Sequence, residues 1–273
     1  MKSFASWTIR RCVRCLSAKE SASRRANGFF IPSVAGIRMD TATKLQIEEF
    51  FWLPFLLQTV DALFPTGAYA HSLGFEELAR LGVVGDEGAL RDFLLQQVAP
   101  AQERLELPFL RFAFQAEGAE ELCAIDREID AWKLARETRL ASAQLGVRRL
   151  KALRTISGAA AFADFEAAVQ EGRASGHHLV VCALQARVQG VPLAAALAAY
   201  YYQSLAAICA AALKLIRIGQ EGCQRALRAA CGRSEDVLRR SLAVVREDAG
   251  CFNPMLEIAS MRHERANERL FIS

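Results

Sequence analysis

Histidine is the side chain with the widest chemical range near neutral pH, and this 273-residue chain has four: His71, His177, His178 and His263. No two of them stand at the HExxH spacing that would put two metal ligands and a base on one helix face. His177 and His178 are adjacent. On a helix neighbouring side chains diverge by about 100°, so the pair cannot chelate one ion together. Polar capping and a surface position are the expected roles. Ser72 follows His71, and Glu76 lies four residues on. A small helical hydrolase using His71 and Ser72 is one reading; an ordinary helix surface produces the same spacing. Neither GxSxG nor GxxxxGK[ST] occurs, so a hydrolase elbow and a phosphate-cradling loop are both missing. Cys12 and Cys15 have CxxC spacing, but no second pair and no histidine stands nearby to complete a metal set. Cys123, Cys182, Cys209 and Cys231 fall in apolar or Ala-rich stretches, where Cys acts as a small hydrophobe. The thiols read as reduced, the compartment as cytoplasmic, and no bound metal or cofactor is expected.

The chemistry-bearing residues concentrate in two places. The first runs Phe64-Pro65-Thr66-Gly67-Ala68-Tyr69-Ala70-His71-Ser72-Leu73-Gly74-Phe75-Glu76-Glu77. Pro65 and Gly67 punctuate a turn, and Tyr69 and His71 follow at the start of the next helix. The second is the C-terminal stretch from Asn253 to Ser273. On a helix, Met255, Ile258 and Met261 would step along an apolar edge, and Arg262, Arg265 and Arg269 along a cationic one. Residues 252–273 read either as a partner-binding tail that orders on contact or as a terminal helix docked on its own chain.

The elements that must position these groups are helices. No polar/apolar alternation of strand type and no Asn-Gly or Asp-Gly hairpin signal appears. Leu122, Ile125, Ile129, Trp132 and Arg136 step by three or four, and a second stripe runs Leu140, Ala143, Val147, Leu150. The shift predicts a change of partner or a break near Thr138. Asp86 suits an N-cap for a helix that Pro100 closes, Gly82 the residue after a helix through Leu81, Ser234 another helix start, and Pro192 the first turn of an Ala-rich helix. About nine to eleven helices in one all-α domain, residues 42–273, are expected.

Composition bounds the function. Hydrophobic residues make up 52% and charged residues 23%, and the formal charge is +4. The excess is local: residues 1–38 hold eight Lys/Arg and one acid, leaving 26 basic against 29 acidic residues in the body, a net −3. That body lacks the basic stripe of a nucleic-acid binder. Residues 1–41 read as a basic extension. Its Arg- and Ser-rich, acid-poor composition fits an organelle transit peptide, and a start at Met39 fits equally. No apolar core of a secretory signal follows the basic start. Val188 to Leu213 carries no charge, but its Ala content and central Tyr200-Tyr201-Tyr202 point to a helix buried in protein rather than in a membrane.

With those motifs in hand, the chain resembles the urease accessory protein F family. Phe64 to Glu76 is similar to that family's FPxG-[SA]-[FY]-x-[HY]-S-x-G-[LF]-E signature, and Met261-Arg262-His263-Glu264 through Arg269-Leu270-Phe271-Ile272-Ser273 to its terminus. Arg136-Glu137-Thr138-Arg139 and Lys214-Leu215-Ile216 with Gly219-Gln220 lie between in matching order. The chain departs from the pattern at Ala206 to Ala212, where Asn is common, at Arg217, where Pro is usual, and around Glu221-Gly222-Cys223. The resemblance implies an all-α, non-catalytic homodimer. Such a protein binds urease accessory protein D/H and recruits the GTPase accessory protein G, for nickel insertion into apo-urease, with nickel as cargo. It implies partner-binding roles for Tyr69, His71, Ser72, Arg262, His263 and Arg269, and contact with the D protein through Met255, Ile258 and Met261. Pro65, Gly67, Gly74, Glu76 and Lys214 take structural places in the motifs.

Overall fold

The computed structural model describes residues 50–273, which belong to one compact unit. The basic extension and the Cys12/Cys15 pair lie outside the described residues. Within them there are eleven helices and no strand. They are α1 (Leu53–Val60), α2 (Phe75–Arg80), α3 (87–115), α4 (Ala119–Trp132), α5 (Arg136–Ser157), α6 (Ala160–Gln170), α7 (His178–Val188), α8 (Leu193–Leu215), α9 (Gln220–Cys231), α10 (Ser234–Ala243) and α11 (Pro254–Glu264).

Local chemistry sets most of the boundaries. The Asp86 carboxylate accepts the Ala89 N–H at 2.9 Å and starts α3. Past Leu81, the Val83 N–H returns to the Leu78 carbonyl and the Gly82 N–H to Ala79, closing α2. α8 begins directly after Pro192, and α10 at Ser234 with Glu235 and Asp236 in its first turn.

Pro100 does not end its helix. A proline ring presses on the carbonyl four residues back and offers no N–H. That carbonyl belongs to Gln96, inside a π turn spanning Leu94–Val98. The wider i→i+5 spacing carries it clear, and the helix continues. The device repeats: a second π turn, Gln102–Glu106, precedes Pro108.

The break between α4 and α5 comes at residues 133–135, slightly before Thr138. The buried face of α5 is Ala141, Leu145, Leu150 and Leu153, while Leu140 and Val147 are partly exposed. The expected second stripe was therefore only partly the core face.

α8 is the central strut. It is long and apolar enough to cross a membrane, but it packs against α1, α2, α3, α7, α9 and α10. Tyr201 is fully buried there, and its hydroxyl donates to the Ala230 carbonyl at 3.1 Å. α11 lies across α2 and α5, which brings the C-terminal residues to the motif at 64–77.

Candidate functional site

The turn at Phe64–Gly67 leads into a single 3-10 turn, Ala68–Ala70, through Gly67 at φ 78°. Tyr69 on that turn is 73% exposed, the most solvent-facing aromatic group of the motif. His71 and Ser72 are buried. Leu73 then takes φ 53° and Gly74 φ 84°. A left-handed leucine is strained by roughly 1–3 kcal/mol and persists only where its surroundings hold it. Here the Ser72 and Leu73 N–H groups both donate to the main-chain oxygen of Ser273. Two successive donors converge on that one oxygen and hold the strained turn against the C-terminal segment.

The C-terminal segment is fastened along its length. The Ile272 N–H donates to the Ala70 carbonyl at 2.8 Å, next to Tyr69. Ser273 Oγ lies 2.6 Å from His71 Nδ1. Glu76 accepts the N–H groups of Leu270 at 2.7 Å and Phe271 at 2.9 Å, and meets His263 Nε2 at 2.9 Å. The other histidine nitrogen faces Glu137 at 2.8 Å, and Arg269 reaches Glu137 at 3.2 Å. Arg262 and Arg80 both pair with the buried Glu77. Phe271 is buried under Lys214, whose ammonium stands 5.2 Å from the ring centroid.

Burial opposes ionisation of Glu76, but the Leu270 N–H, His263 and the Phe271 N–H outweigh it and hold the carboxyl below its ordinary value. Burial, aided by the nearby Arg148 charge, pushes His71 down, so its imidazole is neutral. Its Nε2 has no hydrogen-bond partner among the described residues.

Several expectations change. The tail is docked on the 64–77 motif of its own chain. Its helix ends at Glu264, so Arg269 does not share a helical edge with Arg262 and Arg265. His71, Ser72 and His263 hold the tail from inside. Met255 packs against the core, while Ile258, Met261 and Arg262 face outward. Ser72 Oγ accepts the Glu76 N–H at 3.4 Å, and the His71 Nδ1 is taken by Ser273, so the two do not form a nucleophile–base pair.

The expected surface position does not hold for His177. His177 is fully buried, with Nδ1 3.1 Å from Ser142 Oγ and Nε2 2.9 Å from Asp130. Asp126 accepts the N–H groups of Ser175, Gly176 and His177 and so fixes the turn that leads into α7. His178 points elsewhere, toward Cys182 and Tyr200. Burial, with Arg149 and Lys133 nearby, drives it down to about 3. It borders a cavity of about 200 Å³ that also meets Glu106 and Lys133. Those two form a 2.6 Å ion pair, and Tyr200 donates to Glu106 at 2.8 Å. No group of three or more His, Cys, Asp or Glu arranged to hold a metal is found among the described residues.

Sequence reasoning missed Glu77, Glu137 and Asp126 as organisers. Glu77 closes the 64–77 motif and Glu137 lies in the Arg136 to Arg139 segment; Asp126 carries no local signal.

A family model described as UreF matches residues 84–231. Urease accessory protein UreF of Arthrobacter sp. (strain FB24) is 35% identical over 218 residues, covering 80% of this chain and 96% of that protein. Its counterpart in Paenarthrobacter aurescens (strain TC1) is 36% identical over 222 residues, covering 80% and 96%. That of Actinobacillus pleuropneumoniae is 30% identical over 221 residues, covering 80% and 97%. Motifs at both ends of the described residues meet in one site, and relatives of this similarity span nearly their whole length: the chain belongs to the UreF family of urease accessory proteins.

Proposed function

We propose that the protein is a non-catalytic, cytoplasmic scaffold of urease maturation. As a homodimer it binds accessory protein D/H and recruits the GTPase accessory protein G, which drives nickel insertion into apo-urease. Nickel is cargo of that assembly. The observation that carries this reading is the composite face made where the C-terminal segment docks on the 64–77 motif. Tyr69 and Ile272 are exposed and adjoin through the Ala70–Ile272 hydrogen bond, with Leu270 exposed two residues away. Arg269 and Lys214 add cationic groups. Aromatic, apolar and Arg side chains around one rigid spot are the makings of a protein-binding hot spot.

The D protein is assigned to the outward stripe of α11, Ile258 and Met261 with Arg262, and the GTPase to the Tyr69/Arg269 face. Pull-down of purified variants tests both at once. Ile258→Glu with Met261→Glu is expected to lose the D protein. Wild-type capture of both partners by variants of both faces would overturn the assignment.

A further inference from the structure

α1 and α5 leave an open groove of about 790 Å³ between them. One wall is the end of α1 and the following loop, with Leu57, Leu63 and Phe64. The other is a single face of α5 that runs from Arg148 through Lys151 to Ile156. Leu63 is 90% exposed, Leu57 61% and Ile156 52%. Lone exposed apolar side chains are ordinary, but three around one groove mark a contact surface.

The charge on this groove is unbalanced. Arg154, further along α5, is paired with Glu166. No carboxylate among the described residues pairs with Arg148 or Lys151, and the polar contact of Arg148 is the Thr66 carbonyl at 3.5 Å. Asp61, on the opposite side, uses Oδ1 to accept the Leu63 N–H at 2.7 Å.

We infer that this groove receives an amphipathic helix of a partner protein, with apolar side chains at i, i+4 and i+7 and carboxylates along its flank. The α5 wall from Arg148 to Ile156 rises about 12 Å, two helical turns, which matches that anchor spacing. Among the described residues the trough is open along its length, whereas a small-molecule site encloses about 70–90% of its ligand. A second copy of this chain is the weaker fit, because a two-fold interface here would gather the Arg148 and Lys151 of both copies against only their two Asp61 carboxylates. The partner's flank carries acid because only acid satisfies both cations as the groove loses water.

The test uses two labelled helical peptides with Leu at i, i+4 and i+7, one flanked by Glu and one by Lys, titrated into the full chain by fluorescence anisotropy. The Glu peptide is expected to bind about tenfold more tightly, since two exposed attractions replace two repulsions. Lys151→Glu should remove much of the preference. Arg148→Glu with Lys151→Glu should invert it, a gain that a misfolded chain cannot give. Leu63→Glu should weaken the Glu peptide through both its lost apolar anchor and its added charge. Equal affinity for the two peptides, or binding by neither, overturns the inference. So does a dimer, seen in sedimentation, that Leu63→Glu dissociates and that excludes the peptide; the occupant would then be a second copy.

Discussion

The carboxylate of Glu76 accepts the backbone N–H of Phe271 at 2.9 Å, across 195 residues of sequence. The same carboxylate takes the Leu270 N–H and meets His263. One side chain near the start of the described residues thus fixes both the last helix and the segment beyond it. Beyond it, the Ile272 N–H donates to the Ala70 carbonyl next to Tyr69, while Arg269 reaches Glu137.

Glu76→Gln should release the tail while leaving the helices folded. A glutamine oxygen cannot serve all three donors, and hydrogen bonds to a charged acceptor are worth about 1.5–3 kcal/mol each. Amide exchange at Leu270 and Phe271 is expected to speed up about tenfold or more. Because the Glu76 carboxyl is held below its ordinary value, its contribution is fully present above the unfolded value of about 4.3. It is lost as pH falls below that through the folded value. Wild-type tail protection should therefore collapse at acid pH, and the variant should lack that step. An identical acid profile in the two proteins would remove Glu76 as the clasp.

Tyr69→Ala and Arg269→Ala should each weaken capture of the GTPase by a factor of roughly 30, the loss of about 2 kcal/mol at a hot spot. Tyr69 is so exposed that its removal should change stability by less than about 0.5 kcal/mol. Arg269 also reaches Glu137, so its variant needs a check of tail protection beside the pull-down. Arg269→Lys should rescue only in part, because an ammonium lacks the guanidinium fork. Wild-type capture by both alanine variants would move the GTPase to another face.

The helices were legible where their signals are local. Asp86, Gly82, Ser234 and Pro192 mark boundaries through their own backbones, and the structure agrees to within a residue. Pro100 misled because the compensating π turn has no residue pattern of its own. The burial of His177 and the attachments of the tail were illegible for a different reason. Their partners are distant in sequence: Asp130 lies 47 residues from His177, and Glu137 lies 126 from His263. Spacing rules reach one helical turn. They bring a charged or polar residue to the surface by default, because the carboxylate that permits its burial belongs to another element. The family motifs flagged which residues matter at the two ends without revealing that they bind each other.

Nickel should not bind the isolated protein tightly. His263 has both ring nitrogens engaged by Glu76 and Glu137, His177 has both engaged by Ser142 and Asp130, and His178 is half-buried with Nε2 against Cys182 Sγ. A borderline ion needs several converging ligands. Calorimetry is expected to give no stoichiometric submicromolar site. Finding one that a single His or Cys substitution abolishes would make nickel a resident ligand.

Asp126→Ala should destabilise the fold by about 3 kcal/mol. The carboxylate is fully buried and accepts three backbone N–H groups at the start of α7, and the substitution strands those donors. Urea unfolding reads the change as a shift in midpoint at constant slope. Asp126→Asn keeps one acceptor oxygen and should lose less. Equal losses would show that volume contributes nothing and that the ionised carboxylate, with both oxygens accepting, sets the whole cost.

Gly74→Ala separates the clasp from the fold. Gly74 sits at φ 84°, where an alanine is strained. A Cβ there would come 2.5 Å from Ser260 Oγ, 3.1 Å from the Ser260 nitrogen and 3.3 Å from the Leu256 carbonyl oxygen. Two of those three atoms are backbone of α11, so relief requires the helix to move away from α2. The expected cost is about 2 kcal/mol, above the penalty of an alanine at positive φ alone. Its signature should be local: faster exchange in α11 and at residues 270–273, with α7 and α8 unchanged. Adding Ser260→Ala removes the hydroxyl but neither backbone contact, so it should recover only part of the loss. Full recovery would mean that the hydroxyl, not the approach of the two backbones, is what demands glycine here. Loss of protection spread evenly over all the helices would mean that α11 is not a separable clasp but part of the core.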